Sequence, residues 1–363
     1  MARLNTQPGI MDIAPYVPGL ATAPVSGPIA KLSSNETPLG TSALAIAAYR
    51  ASASELHRYP DGAAKKMRAA IGARFGLDPE RIVCGNGSDD LIYLLAGAFS
   101  GGGDEVLFPR YSFAMYQIAA QSVGATPVAA ADRRLGSNVD NLLRSVTTNT
   151  RVCFVANPNN PTGTFLPTNE LVRLRQELPG DVLLVIDAAY AEYMRQADYS
   201  SGMDLVDSSN NVVVTRTFSK IYGLAALRLG WLYGPPEVVD VLNRVRCPFN
   251  VSEAAQAAGV AALQDMEFVE AAVDHNERWR PWLESELGEI GLVVHPSAAN
   301  FVLVSFGDSG VGVAKEAYDY LLENGVIGRR LDGYGLAEHL RFSIGLEEEN
   351  RKLVDLLGRF RKD

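Results

Sequence analysis

Long apolar runs are scarce in this chain of 363 residues: the longest strongly apolar stretch, Val182 to Ile186, ends at Asp187 and is far too short to cross a bilayer. Cysteine is nearly absent, and Cys84, Cys153 and Cys247 lie far apart, odd in number and without a CxxC pair. A disulfide framework is excluded, and buried free thiols in a reducing compartment are the simplest expectation. The four histidines, His57, His275, His295 and His339, show no metal-ligand spacing, so no metal site is expected. Positive charge is not in excess either. The formal net charge is −9, which gives no general attraction for nucleic acid or an anionic membrane. Met1 to Leu20 has no charged segment followed by an apolar core, so no signal peptide is read there. Nor is there a nucleophile elbow, a Walker A loop or an HExxH helix. The remaining picture is a cytoplasmic globular protein, 47% hydrophobic and 21% charged, with enough apolar residues for a sizeable core.

From about Arg81 to Tyr233 short apolar strands alternate with helical patterns. Strands are expected at Arg81–Cys84, Glu105–Phe108, Thr126–Ala129, Val152–Ala156, Val182–Ile186, Val212–Thr215 and Leu229–Tyr233, with helices such as Asp89–Phe99, Phe113–Val123 and Thr168–Glu177 between them. That rhythm predicts an α/β fold, an open and mostly parallel sheet covered by helices. Ligands in such sheets sit beyond the C-terminal strand ends. After Pro248 the texture changes. A helical region over Ser252–Leu287, interrupted near Asp274, precedes strands at Leu292–Val294, Asn300–Val304, Val326–Gly328 and Leu340–Ser343. Helices are expected over Val313–Asn324 and from Glu347 onward. The chain thus divides into an arm (1–40), a large domain (41–247) and a smaller α+β domain (248–363).

The polar clusters come directly after the expected strands. Val212-Val213-Val214-Thr215-Arg216-Thr217-Phe218-Ser219-Lys220 ends a β-branched run in two hydroxyls beside one lysine, and Arg228 lies eight residues further on. A lysine leaving a buried strand for a polar pocket can lose its proton and form an imine with a carbonyl. Thr217, Ser219 and the fork of Arg228 can hold a phosphate dianion beside it. Amine and phosphate cradle together are what pyridoxal phosphate requires. Gly85-Asn86-Gly87-Ser88-Asp89-Asp90 opens a helix whose free N–H groups attract an anion, and Ser88 is expected to cap it. In the loop Asn157–Gly163 two prolines and a glycine constrain the backbone, so that one asparagine amide can be aimed at little entropic cost. Asp187, at the mouth of the sheet, needs a cationic partner, such as a protonated pyridine nitrogen; Tyr190 stands three residues on. Tyr111 can lay its ring on a pyridine face. Arg341, within an apolar strand, calls for a carboxylate or a phosphate.

Together these motifs, with Ser34–Gly40, Arg58-Tyr59-Pro60-Asp61, Gly333-Tyr334-Gly335 and Leu340–Gly345, resemble the fold-type I pyridoxal-phosphate aminotransferases, and among them the histidinol-phosphate aminotransferase group. The resemblance runs from about Tyr16 to the C-terminus. It implies pyridoxal 5'-phosphate bound as an imine on Lys220, whose freed amine then moves the proton between Cα and C4′. It further implies Asp187 on the ring nitrogen, Asn160 and Tyr190 on the phenolate oxygen, and Tyr111 stacked on the ring. Ser88 and Asp89 (through their backbone N–H groups), Thr217, Ser219 and Arg228 take the phosphate, joined by Tyr59 reaching across a homodimer interface. Arg341 is the implied anchor for the carboxylate of glutamate or the phosphate of the partner substrate; Tyr16, Asn35, Asn160 and Arg329 complete the substrate site.

The implied reaction is ping-pong transamination between L-histidinol phosphate and 2-oxoglutarate, a step of histidine biosynthesis. An aromatic amino-acid aminotransferase acting on phenylalanine or tyrosine is the alternative. A related decarboxylase or a cofactor-binding regulator stands further off, the latter because Lys220 is present and no fused DNA-binding helix-turn-helix is seen. Two departures bear on this. Ala188 stands where the family has glutamate after the aspartate, and Arg330 stands where proline is common. Arg329 and Arg330 favour a phosphorylated substrate, which needs an extra cation.

Overall fold

The computed structural model describes residues 5–307 and 311–362; the ends of the expected arm and small domain, residues 1–4 and 363, lie outside it. The arm contributes one short strand, β1 (Ala30–Lys31). Seven strands then form the large sheet: β2 (Ile82–Gly85), β3 (Glu105–Pro109), β4 (Thr126–Ala130), β5 (Thr150–Ala156), β6 (Leu183–Asp187), β7 (Val212–Thr217) and β8 (Gly230–Tyr233). Their spatial order is β2-β8-β7-β6-β5-β3-β4. Pairing is parallel from β4 through β7, and β8 alone runs antiparallel to both its neighbours. Six of these strands are buried along nearly their whole length, as expected of a sheet covered on both faces.

The one reversed strand helps to assemble the rim. Because β8 is antiparallel, its first residue lies at the same edge as the C-terminal ends of the others. Gly230 pairs with both Thr217 and Gly85, and Asp187 pairs with Ala156 and lies beside Thr215. Residues from several chain segments therefore meet along one edge of the sheet.

The smaller sheet is antiparallel in the order β12-β13-β10-β9, from β9 (Val293–His295), β10 (Phe301–Ser305), β12 (Arg329–Arg330) and β13 (His339–Ser343). The expected strand Val326–Gly328 is β11 (Val326–Ile327), which pairs in parallel with β1, and after Gly328 a further strand, β12, joins β13. The arm is thereby tied to the small sheet.

The helical region after Pro248 breaks at Asp265, not near Asp274. Asp265 caps the helix Met266–Glu289 by accepting from the Phe268 N–H, whereas Asp274 sits on that helix's exposed face near Arg195. Helix Glu253–Gln264 contributes Ala255, Ala258 and Ala262 to the large-sheet core, beside Val251. Helix Met266–Glu289 gives Val269, Ala272 and Val273 to that same core but Trp279, Leu283 and Leu287 to the core of the small sheet. Apolar packing thus passes from one core to the other inside this helix, beyond the textural change at Pro248.

Candidate active site

A cavity of about 230 Å³ opens at the rim, lined among others by Ser88, Asp89, Phe113, Asn160, Asp187, Tyr190, Thr217, Ser219, Lys220 and Arg228. Most of the residues singled out from sequence are therefore brought together. Lys220 lines it and donates to the Ser34 carbonyl at 3.3 Å, with its ammonium 5.9 Å from the centre of the Tyr190 ring. Burial, then the positive fields of Arg341 and Arg228, lower the Lys220 pKa to about 8 against the pull of Asp89 and Glu36. A buried lysine gives up its proton more readily because the charged form loses water.

Asp187 ends β6 almost fully enclosed. Burial pushes its carboxyl up to about 6, while hydrogen bonds from Tyr116 and Thr215 pull the other way. Tyr190 is buried too, and its hydroxyl oxygen accepts from the Asn35 amide at 2.8 Å. That bond occupies an oxygen lone pair and leaves the Tyr190 proton to be donated elsewhere. Asn160 likewise uses its carbonyl oxygen to accept from Arg341, so its amide hydrogens remain available.

A cationic cradle forms another part of the rim. Arg228 reaches Ser219 Oγ at 3.3 Å and Asp89 Oδ2 at 3.1 Å. Helix Ser88–Phe99 points its N-terminus here, capped at Gly87. Ser88 is its first residue and makes no cap, contrary to expectation, so its hydroxyl is left to the cavity. Two glycines make the cradle sterically possible: a Cβ on Gly87 would meet Arg228 at 2.6 Å, and one on Gly230 would meet the Ser88 nitrogen at 2.5 Å.

Tyr111 is placed differently from the ring-stacking expectation. Its ring packs with Leu303, Leu331, Leu336 and Tyr334 of the small domain, and Phe113 lines the cavity instead. The expected substrate residues are spread out. Asn35 is buried behind Tyr190 and holds its hydroxyl. Tyr16 and Arg329 border a second cavity of about 610 Å³, with Arg330 and Tyr334. Arg329 bonds the Val17 carbonyl at 2.7 Å and lies 5.6 Å from the Tyr16 ring centre. Arg330 is held in a fork by Asp332 at 2.6 and 2.9 Å, so its charge is largely answered within the chain.

Arg341 stands between the two cavities. It bonds Asn160 of the first, donates to the Ser33 carbonyl at 3.0 Å, and pairs across the sheet with Arg329 of the second. Its Nε is buried without a partner, and burial pulls its pKa down. A guanidinium so enclosed is a receptor for an anion. Tyr59 is 82% exposed, stacked on Phe249 at 4.6 Å, and does not line the chain's own cavity.

Tyr116 and Phe113 were not among the residues expected at the site. Both are aromatic residues at helical spacing around Met115–Ser122, a pattern that ordinary core residues share. Within the Ser34–Gly40 motif only Asn35 carries an expected role; Glu36 and the Ser34 carbonyl also face the lysine.

A lysine, an enclosed aspartate, a phenol and an anion cradle along one rim of a parallel sheet define a cofactor-dependent enzyme of the amino-group-transferring kind. The chain belongs to the class I and II aminotransferases, whose family model matches residues 28–357. Within that family it is 54% identical over 354 residues to the histidinol-phosphate aminotransferase of Paramagnetospirillum magneticum, covering 98% of each chain. It is 53% identical over 351 residues to that of Rhodospirillum centenum, covering 97% of each. Among solved structures, histidinol-phosphate aminotransferase from Sinorhizobium meliloti in complex with pyridoxal-5'-phosphate is similar, with TM-score 0.85, 26% identity and 92% of each chain covered.

Among the described residues no helix is long and apolar enough to cross a membrane, and no cluster of three or more metal-ligating side chains occurs. Cys84 and Cys153 are buried free thiols, whereas Cys247 is exposed.

Proposed function

We propose that this chain is a pyridoxal 5'-phosphate-dependent aminotransferase that transfers the amino group of L-histidinol phosphate to 2-oxoglutarate. The observation that carries the reading is the enclosure of Lys220 in one cavity with an anion cradle and Asp187. The residues fit the cofactor: the backbone N–H groups of Ser88 and Asp89 at the helix start, with Thr217, Ser219 and Arg228, suit a phosphate, and enclosed Asp187 requires a cation such as a ring nitrogen. Bound there, pyridoxal 5'-phosphate supplies an electron sink that makes the substrate Cα proton removable.

The chain's own groups do the rest. Lys220, with its pKa lowered to about 8, holds a lone pair in a useful fraction of molecules near neutral pH and can take and return that proton. Tyr190 and the Asn160 amide donate toward the phenolate oxygen, both freed for it by Asn35 and Arg341. Phe113, in place of Tyr111, walls the ring. Arg341 takes the carboxylate of glutamate and the phosphate of histidinol phosphate in turn, because a guanidinium fork matches both anions. Arg329 and Tyr16 support the phosphate end.

The active form is a homodimer. Leu44, Ile46, Tyr49 and Leu56 on and after helix Ala43–Ser52 are exposed apolar residues close in sequence to exposed Tyr59, and a second copy would cover them. Tyr59 then serves the neighbour's cradle. The test is direct: cofactor-loaded protein should form L-glutamate from L-histidinol phosphate and 2-oxoglutarate, and Lys220→Ala should abolish it. Full turnover by that variant would sink the reading.

A further inference from the structure

Asp187 has a physical problem that its burial creates. A carboxylate withdrawn from water tends to take up a proton, and a protonated Asp187 would not neutralise a cationic ring nitrogen. The structure opposes this with two hydroxyls, and they differ in quality. Thr215 reaches Oδ1 at a long 3.3 Å, whereas Tyr116 donates to Oδ2 at 2.8 Å.

Tyr116 is also held in place. Its fully buried ring lies 4.8 Å from Phe154 and parallel to within 4°, and it meets Phe113 edge-on at 5.9 Å and 89°. Such ring contacts fix a phenol with two side-chain torsions at little further entropic cost. Phe113 in turn lines the cavity, so one side chain backs both the wall and the carboxylate. The other titratable groups near Asp187 are Asp89, whose charge raises its pKa, Lys220, whose charge lowers it, and Tyr190 and Tyr199.

We propose that Tyr116 is a positioning residue for the reaction: its hydroxyl, clamped by Phe113 and Phe154, holds the Asp187 carboxylate in one orientation and in its charged form, ready for the ring nitrogen of the cofactor. The inference rests on the proposed cofactor-dependent function. Thr215 is the minor support. Tyr116 touches neither substrate nor cofactor and acts through Asp187 alone.

The test compares binding of pyridoxal 5'-phosphate to the apoenzyme of the parent, Tyr116→Phe and Phe154→Leu between pH 8 and pH 6. Tyr116→Phe removes one oxygen and keeps the ring, so its apoenzyme should melt with the parent. Its affinity should fall about tenfold at pH 8, the order expected for one hydrogen bond to a charged group. The deficit should widen toward pH 6, because losing the donor raises the Asp187 pKa and protonates it sooner. Phe154→Leu, which keeps the hydroxyl and only loosens its clamp, should show a smaller widening than Tyr116→Phe. Equal affinities and equal pH slopes for parent and Tyr116→Phe would overturn the inference, as would the same widening in Phe154→Leu. A parent that failed to bind the cofactor would instead overturn the reading on which the inference rests.

Discussion

Asp187, Tyr190, Thr217 and Arg341 are buried, and each is bonded to a neighbouring residue. Tyr16 is 48% exposed on an arm with little regular structure, and Arg329 and Arg330 lie half-buried on a two-residue strand. In the first group Asp187, Tyr190 and Thr217 gather at the rim of the large sheet, where strand pairing and enclosure fix positions closely, and Arg341 reaches that rim from β13 of the small sheet through Asn160. The second borders an open cavity between arm and small domain. The chemistry of amino transfer is therefore built into the core, while the selection of substrate is left to a surface that can change at little cost to the fold.

The sharpest break of that contrast is Asp187→Ala, which should lower kcat about a thousandfold, the scale of losing one preorganised electrostatic partner, with melting temperature retained or raised. Arg341→Ala comes next. Removing a buried, hydrogen-bonded charge should cost about a hundredfold in kcat/KM, in the glutamate and the histidinol phosphate half-reactions alike. Capture of pyridoxal 5'-phosphate by the apoenzyme gives a third measure. Lys220 must be neutral to react, so the capture rate should rise with pH up to about 8, falling about tenfold for each pH unit below it.

On the open side the effects should shrink. Arg329→Ala should raise KM for histidinol phosphate about tenfold, one charge-assisted hydrogen bond, and leave the glutamate half-reaction unchanged. Arg330→Ala should alter either by less than about threefold, since a half-exposed ion pair with Asp332 is all the side chain gives up. An Arg330 effect larger than that of Arg329 would reverse the order and place the substrate phosphate elsewhere in the cavity.

The same contrast decides what was legible beforehand. Thr168–Glu177 and the start of the last helix at Glu347 came out at their observed residues, because apolar period and flanking proline or glutamates agree there. Lys220, Asp187 and Arg228 were readable since the first two come just after β-branched or apolar runs and the third lies close behind, and such runs end at the sheet rim. Tyr111 and Phe113 flank one serine, and only the path of the turn decides which faces the cavity. Tyr116 looked like core because it is core; its hydroxyl gains meaning from Asp187, distant in sequence. Asp265 and Asp274 are alike in pattern, and the helix start at Met266 distinguishes them only once the two segments pack.

Ala188, where the resemblance implies glutamate, is fully buried in the large core. A nearby acidic residue, Glu192, makes a 2.6 Å ion pair with Arg216 that is almost closed to solvent. Such a pair tolerates loss of one partner poorly. The segment after Asp187 therefore keeps a buried anion although Ala188 provides none.

The substrate preference of this rim and cavity is open to direct measurement. Single-turnover reaction of the cofactor-loaded enzyme with L-histidinol phosphate, phenylalanine and tyrosine, monitored by cofactor absorbance, measures k/K for each. The preference for histidinol phosphate should exceed about tenfold, or about 1.4 kcal/mol. An equal or higher k/K for phenylalanine or tyrosine would contradict it.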